Sequence, residues 1–164
     1  MMQNHNRSAP LICGVLATLL TAFTAVAQME ETPEPSLYER LGGVYNMAAV
    51  VDDFLERVLV NDILNANPAI LEARDRVPKA GLKFQVTAFL CQATGGPEQY
   101  TGRNMKDSHV HLNITEDEWA AFAADFQKTL DQFEVPAQEH AELFALVGST
   151  KADIVTVKEP VPTD

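Results

Sequence analysis

From residue 36 onward, apolar residues recur every third or fourth position, and no segment sustains an alternating pattern. A period near 3.6 commits such stretches to helices with one buried face, and the chain as a whole to an all-α fold. Ser36 with Glu39 reads as a capping box for a short first helix that stops at Gly42-Gly43. In the next helix Met47, Val51, Phe54, Leu55, Val58 and Leu59 share one face, while Asp52, Asp53, Glu56 and Arg57 take the other. Asn61, Asn65 and Asn67-Pro68 are turn and cap signals around a short helix through residues 69–73. Pro78 opens a helix with Leu82, Val86, Phe89, Leu90 and Ala93 on its apolar face, stopped by Gly95-Gly96-Pro97. A helical turn is expected over residues 105–110. Thr115 and Glu118 then cap a helix striped with Trp119, Phe122, Phe126, Leu130 and Phe133. Pro136 starts the last helix, expected to turn Ala141, Phe144, Val147 and Ile154 inward.

The first residues have a different character. A polar stretch with Arg7 precedes the apolar run Leu11–Leu20, and Ala25-Val26-Ala27 supplies the small-x-small pattern of a signal peptidase site. Residues 1–27 are therefore expected to be a signal peptide cut near Ala27-Gln28, delivering the protein to the periplasm or outside the cell. A retained single-span anchor is the alternative. Residues 28–35, acidic and rich in Pro, read as a flexible linker; residues 36–157 read as one domain, and residues 158–164 as a flexible tail. Cleavage leaves 137 residues, enough for a core without staples. It leaves one cysteine, Cys91, in an apolar helical context that suits an inert buried thiol. No span long enough to cross a membrane is expected in the mature chain. All 23 acidic residues remain, against 11 Lys and Arg, which argues against nucleic acid as a partner.

Hydrolytic chemistry finds no foothold. Ser36, Ser108 and Ser149 lack a glycine-rich elbow, and the acidic pairs Asp52-Asp53 and Glu116-Asp117 read as solvated faces. After cleavage the histidines are His109, His111 and His140. His109 and His111 stand two apart, so a regular helix cannot aim both at one metal, and nothing is placed to complete a zinc set. A lone histidine on a short segment opposite an apolar helix is an arrangement that haem iron accepts. A surface histidine beside Asp107 and Ser108 is the commoner meaning of the same residues, and aromatic stripes that pack on each other need no cofactor.

Several stretches share a wider pattern: Ser36-Leu37-Tyr38-Glu39-Arg40-Leu41-Gly42-Gly43; Val50-Val51-Asp52-Asp53-Phe54 with Arg57-Val58-Leu59; Ala88-Phe89-Leu90; Gly95-Gly96-Pro97 with Tyr100-Thr101-Gly102; Met105-Lys106 leading to His109; Ile114-Thr115; and Val135-Pro136. In this order, over about residues 36–155, the chain resembles the group I truncated haemoglobins, two-on-two helical globins. The resemblance implies non-covalent haem b with His109 as the proximal iron ligand and the opposite axial site open to a diatomic gas: oxygen, carbon monoxide or nitric oxide. It implies a gas-binding haem protein rather than a dedicated enzyme, with an electron donor as a further partner, its role lying in binding, redox detoxification or sensing. Phe89 and Leu90 would wall the distal side, Met105 would pack near the proximal face, and Phe54 would lock the second helix against the haem edge. His111 is a candidate for a propionate or for water, and Tyr100 and Lys83 are weaker candidates for propionates. A helical module that kept the fold and lost haem is the rival of a different class.

Two departures from the family pattern carry consequences. The residue after Phe54, usually tyrosine, is Leu55, and the distal places expected to hold glutamine fall on Leu82, Gln85 and Val86, of which only Gln85 can donate a hydrogen bond. A good donor to a polarised gas ligand is worth roughly 1–3 kcal/mol in a dry pocket. The region between Leu59 and Leu82 is about six residues longer than usual and lacks a Phe-Phe pair. Ile63, Leu64, Ile70 or Leu71 would take the place of those aromatics.

Overall fold

The computed structural model describes residues 33–157; the expected signal peptide, most of the linker and the tail lie outside the described residues. Helix α1 (Leu37–Arg40) is held by the expected capping box, the Ser36 amide reaching Glu39 Oε2 at 2.8 Å. Helix α2 (Gly43–Val60) is the longest, followed by α3 (Asp62–Asn65), α4 (Pro68–Arg76), α5 (Lys79–Ala93) and α6 (Met105–His109). Strand β1 (Ile114–Thr115) leads into α7 (Glu116–Gln132), then α8 (Ala137–Ser149), α9 (Lys151–Ile154) and strand β2 (Val155–Val157). The fold is mostly helical, as the periodicity demands.

Helix α2 is the hub. It packs on α5 along one side and on α7 along another. Its inward residues Met47, Val51, Phe54 and Leu55 join Leu90 and Cys91 of α5, Phe126 and Leu130 of α7 and Leu143 of α8 in one buried cluster. Phe54 meets Phe122 and Phe126 edge-on at ring centroid distances of 5.0 and 5.1 Å, the geometry that the aromatic quadrupole favours. Phe126 also stacks on Phe144 at 5.8 Å, joining α7 to α8. A second cluster of Ile114, Trp119 and Ile154 closes the other end, where β1 and β2 pair in parallel through Ile114 and Val155. Alternation has no room to show in strands of two and three residues, so this pair left no trace in the sequence pattern.

The structure corrects several single residues. Asp53 does not sit on a solvated face. It accepts hydrogen bonds from Arg57 Nε at 2.7 Å, Thr129 Oγ1 at 2.7 Å and Gln132 Nε2 at 3.2 Å, tying α2 to α7. The Arg57 guanidinium, against the pull of desolvation, holds the Asp53 carboxyl below the usual carboxylate range. Leu143, rather than Ala141, is the buried residue of α8, and Phe133 and Ala93 turn outward at helix ends. In the long 61–77 region Asn61 and Asn67 cap α3 and α4 as expected. Leu64 is buried and Ile70 packs on the second cluster, while Ile63 and Leu71 are exposed. Arg74 pins this excursion back onto α2, donating to the carbonyls of Val58 at 2.9 Å and Leu59 at 3.2 Å. Asn67 Nδ2 donates to the Leu112 carbonyl at 2.9 Å, so the excursion bridges α2 and the segment after α6.

The Gly95-Gly96 stop has two separate causes. Gly95 adopts φ +91°, and the amides of Gly95 and Gly96 close on the carbonyls of Gln92 at 3.2 Å and Cys91 at 2.7 Å, a Schellman ending. At Gly96 a Cβ would meet the Tyr38 ring at 2.5 Å and the Cys91 carbonyl oxygen at 2.8 Å, so the chain must bare its backbone for Tyr38 to pack. That ring is fixed, its hydroxyl donating to Glu98 at 3.0 Å and accepting from the Val44 amide at 3.1 Å. Gly96→Ala is expected to lower stability by about 1–3 kcal/mol in urea unfolding. Gly81→Ala, whose Cβ meets nothing within 4 Å, should be neutral or stabilising by up to about 1 kcal/mol.

Candidate functional site

Helix α6 is five residues long and begins where Asn104 Oδ1 accepts the Asp107 amide at 2.8 Å. Its sides divide cleanly. Met105 packs toward the second cluster and His109 is half-buried one turn later, whereas Lys106, Asp107 and Val110 face outward. The His109 Nδ1 lies 2.7 Å from the Met105 carbonyl oxygen. A carbonyl only accepts, so Nδ1 carries the proton and donates, and in a neutral ring the lone pair is then left on Nε2. Burial keeps the imidazole below its usual pKa, helped by the neighbouring charges of His111 and Arg103 and opposed by the Met105 carbonyl. A neutral ring with Nδ1 clamped and Nε2 basic is the form in which histidine binds a metal.

Helix α5 presents Leu82, Val86 and Phe89, apolar but only partly buried, against the first cluster. Phe122 and Val147 pack against both clusters, so the seam between the two runs past them, with α5 on one side and α6 on the other. The main support of α5 is α2 and that of α6 is α9. Phe89 is braced edge-on by Tyr100 at 5.5 Å. Gln85 is the polar member of this wall, and its Oε1 is buried without a hydrogen-bond partner. An unsatisfied buried amide oxygen costs about 1–3 kcal/mol, so it is an atom that a bound group could satisfy.

The other residues singled out by sequence divide. Phe54, Leu55 and Leu90 are each 4% exposed and belong to the first cluster, Leu55 offering no donor where a tyrosine hydroxyl could have stood. His111 is exposed. Lys83 is drawn away from the seam onto α2, where Glu56 meets it at 2.5 Å and Asp52 also pairs with it. Tyr100 donates its hydroxyl to the Arg103 carbonyl at 2.6 Å. His140 lies flat on Phe144 at 5.7 Å, and Gln127 Nε2 donates to its Nε2 at 2.8 Å. Cys91 is fully buried, its pKa pushed up to about 11 by desolvation and by Glu98, as an inert thiol requires. Trp119, Phe122 and Val147 reach the seam, a role that their helical stripes alone did not distinguish from ordinary core.

These residues fit haem better than a metal held by side chains alone. Among the described residues no three His, Cys, Asp or Glu converge on one point, whereas haem iron asks the protein for one basic nitrogen and flat apolar walls. His109 Nε2 would supply the nitrogen; Met105, Leu82, Val86 and Phe89 would supply the walls. A depression of about 470 Å³ lined by Arg57, Asn61, Asp125 and Lys128 includes none of these residues.

Comparison with known proteins agrees with this geometry. The family model of bacterial-like globins matches residues 36–156. A group 1 truncated haemoglobin of Synechocystis is 34% identical over 118 residues, covering 70% of this chain and 90% of that protein. One from Mycolicibacterium paratuberculosis is 27% identical over 131 residues, covering 80% and 92%. Among solved structures, the Fe(III) form of the Tetrahymena pyriformis truncated haemoglobin superposes with a TM-score of 0.65 at 25% identity, covering 75% of this chain and all of that one. The 2/2 haemoglobin of Synechococcus, in the cyanomet state with covalently attached haem, gives 0.65 at 26% identity, covering 74% and 98%. The match along residues 36–156 and the 34% identity to the Synechocystis protein place this chain in the bacterial-like globin family, among the group I truncated haemoglobins.

Proposed function

We propose that the protein binds a diatomic gas at ferrous haem iron, with His109 as the proximal ligand and the haem b held without a covalent bond. The observation that carries this reading is the 2.7 Å contact between His109 Nδ1 and the Met105 carbonyl. It fixes the ring and its tautomer before any metal arrives, so binding iron requires no rearrangement of the donor. Haem held by His109 would supply a redox-active iron able to bind the gas. Non-covalent attachment is supported by the lack of a Cys-x-x-Cys-His motif, and by His140 being engaged with Phe144 and Gln127.

The distal wall sets the selectivity. Leu55, Leu82 and Val86 are apolar and cannot donate, which disfavours a polarised ligand such as oxygen relative to carbon monoxide. They also fail to pull electrons from an O–O bond, so gas binding suits this wall better than peroxide cleavage. Gln85 is the single side chain named on this wall with an amide to turn toward a bound ligand. The reading places the protein outside the cytoplasm, on the strength of the apolar run Leu11–Leu20 followed by Ala25-Val26-Ala27. Edman sequencing of material from the native host should start near Gln28; a start at Met1 would refute export by cleavage.

Purified protein supplied with haem should show an intense Soret band, and His109→Ala should lose it while retaining its far-ultraviolet helical spectrum. An unchanged band in that variant would remove His109 from the iron. Installing a donor should restore oxygen retention: Leu55→Tyr is expected to slow oxygen dissociation by roughly ten- to a hundredfold in stopped-flow measurement, with little change for carbon monoxide. Equal effects on the two gases would contradict a distal side governed by hydrogen bonding.

A further inference from the structure

The side chain that anchors α6 is a thioether, a group that peroxides convert from apolar to polar. Met105 is the only apolar residue of the five, and none of the five is fully buried. Its side chain packs against the cluster of Ile114, Trp119 and Ile154, while its carbonyl oxygen takes the Nδ1 proton of His109 at 2.7 Å. The side-chain ties at the start of the helix are polar and local, Asn104 meeting the Asp107 amide and the Asp107 carboxylate at 2.8 Å each. Lys106 and Asp107 are exposed. Anything that dislodges the Met105 side chain therefore also disturbs the clamp on the imidazole. The two methionines of the described residues differ in the access they give to an oxidant. Met47 is 1% exposed within the first cluster, whereas Met105 is only partly buried against the second.

We propose that Met105 is an oxidation site through which hydrogen peroxide releases the haem. The proposal rests on the haem reading above. The step is a two-electron oxygen transfer: a sulfur lone pair of Met105 attacks one peroxide oxygen, the S–O bond forms, the O–O bond breaks, and the other oxygen leaves as water. Sulfur is oxidised and peroxide reduced, with no other bond of the chain changed. The product is a polar sulfoxide. In the second cluster the Trp119 indole is the one side-chain donor among apolar groups, so the new oxygen is better placed in water than inside. A Met105 drawn outward takes its carbonyl away from Nδ1, and the ring that presents Nε2 is no longer fixed in direction. Enzymatic reduction of the sulfoxide restores the anchor, which makes the change reversible. Cys91 does not compete for the oxidant, being fully buried with its thiol pKa pushed up to about 11.

The test uses the haem-loaded ferric protein in its cyanide complex, which blocks the iron so that hydrogen peroxide reaches side chains alone. Peptide mass spectrometry should find an added oxygen on Met105 while Met47 stays unmodified. Once gel filtration has removed the peroxide, haem transfer to apomyoglobin should be faster by roughly ten- to a hundredfold. Methionine sulfoxide reductases A and B, supplied with a dithiol, should restore the original rate. Met105→Leu, whatever its starting rate, should lose haem equally fast before and after peroxide, and Met47→Leu should respond as the parent does. Hydrogen exchange should rise over residues 104–110 of the oxidised protein and stay unchanged in α2. Equal oxidation of Met47 and Met105, a Met105 sulfoxide with unchanged haem transfer, or an acceleration that survives in Met105→Leu would overturn the proposal. Failure of the haem reading shows separately, as a parent protein that takes up no haem, and hydrogen exchange on that protein still reports whether the sulfoxide frees α6.

Discussion

A helix of five residues has no stability of its own, so α6 stays in place only because its neighbours hold it. The Asn104 cap starts it, Met105 anchors one side in the cluster of Ile114, Trp119 and Ile154, and α9 packs beside it. Within that frame the Met105 carbonyl takes the Nδ1 proton of His109. The same residue thus buries its side chain to hold the helix and lends its backbone to orient the imidazole. Everything proposed about the site follows from a basic nitrogen being presented there. The excursion over residues 61–77 adds a second restraint. Asn67 bonds to the Leu112 carbonyl while Arg74 clamps the end of α2, so the segment after α6 is tied to the hub helix.

The opposite wall is built on a contrast. Leu55 and Leu90 are buried in the well-packed first cluster, whereas Leu82, Val86 and Phe89 are apolar yet left partly open. Partly open apolar side chains forgo part of the burial free energy that would stabilise a helix bundle, roughly 25 cal/mol per Å². A bundle that needed no cofactor would gain by closing over them. The orphaned Gln85 oxygen tells the same story in polar terms.

Local signals were the most legible part of the sequence. Ser36 with Glu39, Thr115 with Glu118, and Asn67 before Pro68 are each resolved within three residues, and each cap forms as read. The long stripes of α2, α5 and α7 were legible because a 3.6 period repeats several times within them. What escaped depends on distant partners. Asp53 looks solvated beside Asp52 until Thr129 and Gln132 of α7 arrive to receive it. Lys83 could have pointed either way along its helix, and the carboxylates of Asp52 and Glu56 decide the matter. Leu143 and Ala141 lie two positions apart near the middle of α8, and only the packing of α8 onto the first cluster selects which is covered. For the site, the choice of His109 as candidate ligand came from the family pattern, whereas its tautomer could not be read there, because that depends on a carbonyl four residues back.

The most direct measurement is the resonance Raman spectrum of the ferrous, ligand-free protein, which reports the iron–histidine stretch itself. A clear band in the parent, absent from His109→Gly and returned by added imidazole, is the result that this account requires. A band of the same frequency that persists in His109→Gly without imidazole would show that another group holds the iron, and the site assembled around α6 would have to be abandoned.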